Sequence, residues 1–198
     1  MPWTALRFAA GVAVTAGVVA AADPALAQGR LDARYAVSLS GIPVGKGAWV
    51  IDISENQFTA AASGATAGLL RVPGTGNPLV PQACQRTTPI FDGRMRYNLQ
   101  FAYKRMEQVK TEKGYEGPVV VCSVYFIPVA GYIPHRSTIK YLASQRDMEV
   151  WLAPIGSTRV LVPYRISMPT PIGMGVMQAT QFVSVALPRA AAVGTKTQ

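Results

Sequence analysis

Arg94-Met95-Arg96-Tyr97-Asn98-Leu99-Gln100-Phe101-Ala102-Tyr103 is the stretch on which the fold class turns. Tyr97, Leu99, Phe101 and Tyr103 recur at every second position, with Arg96, Asn98, Gln100 and Ala102 between them. A period of two sends one set to each face of an extended chain, so this is a strand with one buried side. Downstream, Val119-Val120-Val121-Cys122-Ser123-Val124-Tyr125-Phe126-Ile127 is β-branched and aromatic almost throughout, which predicts a central strand. The polar segment 104–113 between them is compatible with a continuing exposed strand or a short helix, and 114–118 reads as a turn.

The same period recurs on both sides. Leu31 to Ser40 alternates around Tyr35, Val37 and Leu39; the Gly/Pro cluster 41–45 is expected to turn the chain, and 47–53 resumes around Trp49, Ile51 and Ile53. A third strand is expected over 57–62. On the C-terminal side, 148–153 and 158–166 form a predicted hairpin, 169–175 a loop and 177–185 a last strand. The one helix is expected over 137–146, where Ile139, Leu142 and Ala143 stand at helical spacing and Ser137 is placed to cap the first turn. From Ser63 to Pro89, glycines and prolines interrupt any regular element, apart from a short strand or helical turn at 69–72. A stretch of that length without structure is unusual in a compact domain and marks a functional loop or a missing part. The expected fold is mainly β, a curved antiparallel sheet or open β-barrel with one short helix.

The chain begins with a different kind of sequence. Arg7 is the sole charge before a 15-residue uncharged run from Phe8 to Ala22, which Asp23-Pro24 ends; Ala25-Leu26-Ala27 then places small residues at both positions a signal peptidase requires. This is the pattern of a cleavable secretory signal over residues 1–27. The apolar run is short of the roughly 20 residues of a membrane span, so no stable span is expected after cleavage. Removing residues 1–27 from the 198 leaves 171, with the net charge still +9 because Arg7 and Asp23 leave together. One β-rich domain is expected over 28–188, followed by a small, polar tail over 189–198 expected to be disordered.

A periplasmic or secreted location changes how the charge is read. Exported proteins do not ordinarily meet nucleic acid, and the basic residues are scattered rather than clustered. The partners compatible with +9 are a lipid or another anionic envelope component, or none, the charge then serving solubility alone. In an oxidising compartment the two cysteines, Cys84 and Cys122, are expected to form a disulfide.

No catalytic pattern stands out. His135 is the single histidine, too few for a His-rich zinc site, and there is no nucleophile elbow or phosphate loop. No catalytic, metal or cofactor site is expected. The aromatics Tyr35, Trp49, Tyr97, Phe101, Tyr103 and Trp151 fall on apolar faces. They account for a packed β core, or they line a pocket for an apolar ligand at a barrel mouth.

Several segments resemble one family. Tyr35-Ala36-Val37-Ser38-Leu39-Ser40-Gly41-Ile42-Pro43-Val44-Gly45, with Gly47 and Trp49, is similar to the first hairpin of exported bacterial proteins grouped as domain of unknown function 3108. Cys84-Gln85-Arg86-Thr87, Phe91 to Tyr97, Val119 to Tyr125 and Arg146 to Trp151 resemble its alphaproteobacterial members. The resemblance implies export, a periplasmic location and a curved β architecture, and no catalytic residues, since the family has no established activity. Its members carry further strands between the segments similar to 64–68 and 84–87. Here Leu69-Leu70-Arg71-Val72-Pro73 joins the two, which implies a shortened variant with exposed sheet edges.

The expected function is thus a non-enzymatic periplasmic protein that binds an apolar or amphipathic envelope ligand. The alternatives are a structural or interaction module of the cell envelope and, behind it, a hydrolase of envelope polymer. A Cys84–Cys122 bond spans 38 positions and stabilises by about 3–4 kcal/mol in the chain-entropy treatment. Non-reducing mass analysis is expected to find no free thiol, and reduction to lower the denaturation midpoint correspondingly.

Overall fold

In the computed structural model, residues 28–54, 57–63, 70–71 and 76–187 are described. The expected signal peptide with its Ala25 and Ala27, and the 189–198 tail, lie outside the described residues. The elements are β1 (Gln28–Leu39), β2 (Ile42–Ile53), β3 (Phe58–Ser63), β4 (Leu70–Arg71), a 3-10 turn (Pro81–Cys84), β5 (Arg86–Phe91), β6 (Arg96–Lys110), β7 (Lys113–Gly114), β8 (Glu116–Ala130), α1 (Ser137–Ser144), β9 (Glu149–Pro154), β10 (Val160–Thr170) and β11 (Gly173–Leu187).

The mainly β expectation holds: one curved sheet that does not close, with a single helix among the described residues. Its long path runs β3-β2-β1-β11-β10-β9-β8-β6-β5. From β5 to β11, and then from β1 to β3, neighbours follow chain order. It is therefore an up-and-down meander joined at a β1–β11 seam, which pairs Gln28 with Leu187 and Leu39 with Gly175. The edges are β3 and β5. Both are six residues long, and β5 carries Pro89, a residue suited to an edge because it has no N–H to offer a neighbour.

The sheet curls because β10 and β11 pair over only half their length, from Arg165↔Gln178 to Thr170↔Gly173. Beyond that point β10 keeps β9 and gains β4, whereas the far half of β11 takes a short parallel pairing with β7. The tip of the β6–β8 hairpin thereby reaches across to β11, and the Tyr115 N–H donates to the Phe182 carbonyl at 2.9 Å. Gly114, at φ +106°, makes that approach possible: an added Cβ would run into the Phe182 carbonyl.

The curl encloses the main core. Val119 and Val121 of β8, Trp151 and Ala153 of β9 and Val160, Val162 and Tyr164 of β10 meet Leu31, Tyr35, Trp49, Ile51, Ala179 and Phe182 from the other half. Tyr35 stacks on Trp49 with centroids 4.7 Å apart, and its hydroxyl donates across the core to the Pro163 carbonyl at 2.8 Å. Alternation sends Val120 and Cys122, with Val150 and Leu152, to the opposite face, where Ala83 and Cys84 cover them. The Cys84–Cys122 disulfide, with Cα atoms 5.5 Å apart, joins this cover to β8.

Several local expectations are corrected. The 41–45 cluster is mostly strand: Ser40 and Gly41, both at positive φ, make the two-residue turn, and Val44 falls in a register shift of β2. Likewise, 169–175 is strand apart from Pro171-Ile172, and 104–110 continues β6. Residues 86–89, expected to be irregular, begin β5, because their pairing with β6 outweighs weak local signals. The helix ends at Ser144, and Ser137 is its first residue rather than its cap, which is Arg136.

Gly114→Ala is expected to destabilise the protein by about 1–3 kcal/mol, read as a lowered Tm. Gly45→Ala, whose added Cβ comes no nearer than 3.9 Å to its neighbour at Val37, is the control and should shift Tm little.

Candidate ligand site around Trp151

Two register shifts bring charge to one point on the sheet. The β6–β8 pairing slips between Tyr103 and Arg105, and the β10–β9 pairing slips between Pro163 and Arg165. Unbroken ladders would set Lys104 opposite Val121 and Tyr164 opposite Trp151. The slips instead give one cross-strand row, Arg105↔Val121↔Trp151↔Arg165. Bulges re-aim side chains in this way. At β10 the cause is local, since Pro163 cannot donate to a ladder.

The outcome is one indole between two guanidiniums. Arg165 lies 4.8 Å and Arg105 5.5 Å from the Trp151 ring centre, both within cation–π range. The indole N–H donates to Glu107 Oε2 at 2.7 Å. Arg105 binds Glu107 through Nε and Glu149 through Nη2, the latter at 3.0 Å, and Lys104 pairs with the other Glu149 oxygen. Glu149 also stands opposite Ser123 and Ser167, both buried.

The two arginines differ in their partners. Arg105 is saturated by two carboxylates. Arg165 has no ion pair among the described residues, and its buried Nε has no hydrogen-bond partner. Three cations face two carboxylates, and the uncompensated charge is Arg165. A half-buried guanidinium over an indole, with no ion pair among the described residues, is suited to a carboxylate or phosphate, which its planar donors grip in pairs.

General acid chemistry fits less well. Burial works to raise the Glu149 carboxyl, but hydrogen bonds and charge from Lys104 and Arg105 outweigh it and hold the group below the usual carboxylate range. A general acid requires the opposite shift. His135 is exposed in the turn before α1.

The six aromatics singled out from sequence do not form one wall. Tyr35, Trp49 and Trp151 are core residues. Phe101 packs on the other face beside the disulfide, Tyr97 stacks on Phe126 at 5.1 Å, and Tyr103 is exposed. Of the six, Trp151 alone belongs to the charged cluster. Lys104, Arg105, Glu107, Glu149 and Arg165 were not singled out from sequence. Alternation assigns them to different faces and strands, and only the Pro163 interruption hints at a slip.

Over residues 77–180, just over half of its length, the chain matches the family model described as Protein of unknown function (DUF3108). The whole Trp151 cluster and both cysteines lie inside that span. No curated protein and no solved structure matches the chain.

Glu149→Gln removes a carboxylate that two cations require, and an expected loss of about 1–3 kcal/mol follows near neutral pH. A depressed carboxyl contributes stability above its unfolded pKa and loses it as pH falls through the folded one. The difference between native and variant in urea titrations should therefore shrink below about pH 4.

Proposed function

The chain belongs to the DUF3108 family, and we propose that it is a non-enzymatic periplasmic protein that binds an amphipathic envelope ligand by an anionic head group. The observation that carries this reading is Arg165: a guanidinium stacked on Trp151, with a buried Nε that has no partner and no carboxylate to neutralise it. Burying a charge is costly unless something neutralises it, and a carboxylate or phosphate at the accessible N–H groups of this guanidinium would do so. The sequence pattern of residues 1–27 and the +9 charge support the envelope address and an anionic partner.

A second reading, an envelope interaction module, is favoured by one observation: among the described residues the sheet ends in two unpaired edges, β3 and β5, with Phe58 and Phe91 exposed on them. Such edges accept a strand from another chain. The hydrolase reading is the weakest of the three, because Glu149 is held ionised.

The test is calorimetric titration with decyl phosphate below its micelle concentration, with decanol and inorganic phosphate alongside. Decyl phosphate should bind the native protein best, and Arg165→Gln should weaken it roughly tenfold or more, the worth of a charge-assisted hydrogen bond. Equal binding of decanol, or an unaffected Arg165→Gln variant, would refute the head-group assignment.

A further inference from the structure

The ends of two hairpins lie side by side at one rim of the sheet, and both are flanked by exposed apolar side chains. Ile42 and Val44, just past the Ser40-Gly41 turn, are 67% and 60% exposed, and Ile172 of the β10–β11 turn is 73% exposed. Met168 and Met174 flank them and are also exposed. The two tips are tied together. The Ser40 N–H donates to the Met174 carbonyl at 2.9 Å and the Ser40 hydroxyl to the Ile172 carbonyl at 2.8 Å. Gly173, at φ +120°, leaves room for that hydroxyl, because an added Cβ would collide with it. Register places Met168, Gly175, Leu39 and Ile42 in one row across four strands. Ile42 and Met168 therefore share one face of this braced platform, while Met174, one residue off the row, lies on the other face, so the rim is apolar on both sides.

The tip-side parts of the two hairpins carry charge of one sign. No Asp or Glu occurs between Asp32 and Asp52 in the β1–β2 hairpin, and none occurs in the β10–β11 hairpin. They do carry Arg34, Lys46 and Arg165, and Arg34 and Lys46 are exposed. An apolar cluster of this kind, on hairpin tips whose own charges are cationic, is complementary to one environment above others: an interface with hydrocarbon below and anionic head groups beside it. A second copy is a poorer occupant. It would bring the same +9 charge, and five side chains fall well short of the ~800 Å² per partner of a standard interface.

We propose that the paired hairpin tips, Ile42, Val44 and Ile172 with Met168 and Met174, dock the protein on the surface of a bilayer rich in anionic lipid. This surface is separate from the Trp151 site and does not rest on the reading given for it.

The exported chain is sedimented with phosphatidylcholine vesicles and with vesicles that also contain phosphatidylglycerol. It should bind the second kind and much less the first. The Ile42→Ser/Val44→Ser/Ile172→Ser variant changes only exposed positions and should keep the native Tm and native decyl phosphate titration while losing vesicle affinity roughly tenfold or more. Lys46→Ala should lose roughly fivefold, the worth of one cation at an anionic surface. Three outcomes would overturn the proposal: native binding by the triple variant, no dependence on phosphatidylglycerol, or a native dimer that the triple variant converts to a monomer, which would assign the tips to a second copy. Loss of decyl phosphate binding in Arg165→Gln alone would bear on the Trp151 site and leave the tips unaffected.

Discussion

Strand β8 has to be covered on both faces, and the rest of the molecule is arranged around that requirement. Val119, Val120, Val121 and Cys122 are successive residues, so they point alternately up and down, and all four are fully buried. A single sheet covers neither face unaided. On one side the sheet supplies its own cover by curling, so that β1, β2 and the far half of β11 lie over β8, β9 and β10. On the other side the cover is irregular chain, Ala83 and Cys84 with Leu79 and Val80 against them. Loops seldom hold such a position by packing alone, and here the disulfide to Cys122 secures it.

Curling has consequences for the ladder. The two halves can fold together only where pairing is relaxed, and the slips at Tyr103/Arg105, Pro163/Arg165 and Arg34/Tyr35 lie across the middle of the sheet. Two of these slips create the Trp151 cluster. Curvature and charge thus have one origin: the residues that let the sheet bend are those that turn arginines toward an indole. Tyr35 ties the third slip to the second through the Pro163 carbonyl, so the seam strand and the site strand are held by a single buried hydrogen bond.

The surface divides by charge in a way that the buried network does not. Glu107 and Glu149 are consumed in satisfying Arg105 and Lys104, while the β1–β2 hairpin has no carboxylate on the tip side of Asp32 and Asp52, and the β10–β11 hairpin has none. An anion that approaches the tip side of these hairpins meets Arg34 and Lys46 exposed, near apolar tips, and Arg165 lies half-buried farther along β10. Both proposals draw on this asymmetry, through different groups.

Much of the fold was legible along the chain. Period-two alternation at Leu31–Ser40 and Arg94–Tyr103 specified strands whatever they packed against, because side-chain direction in an extended chain is local geometry. The pairing of Cys84 with Cys122 followed from there being two cysteines in a chain whose first residues carry an export pattern. Strand β5 and the strand content of 41–45 and 169–175 were not legible, since glycine and proline weaken the local signal and a neighbouring strand restores it. The Trp151 cluster was hidden for a stricter reason. A one-residue slip in pairing reverses which side chains share a face, and a slip is a property of two strands rather than of either one. The sequence by itself determined which segments are extended and which faces are apolar. Tertiary structure decided that the sheet curls without closing, and that Arg105 and Arg165 meet on Trp151, because both outcomes depend on how distant strands come into register.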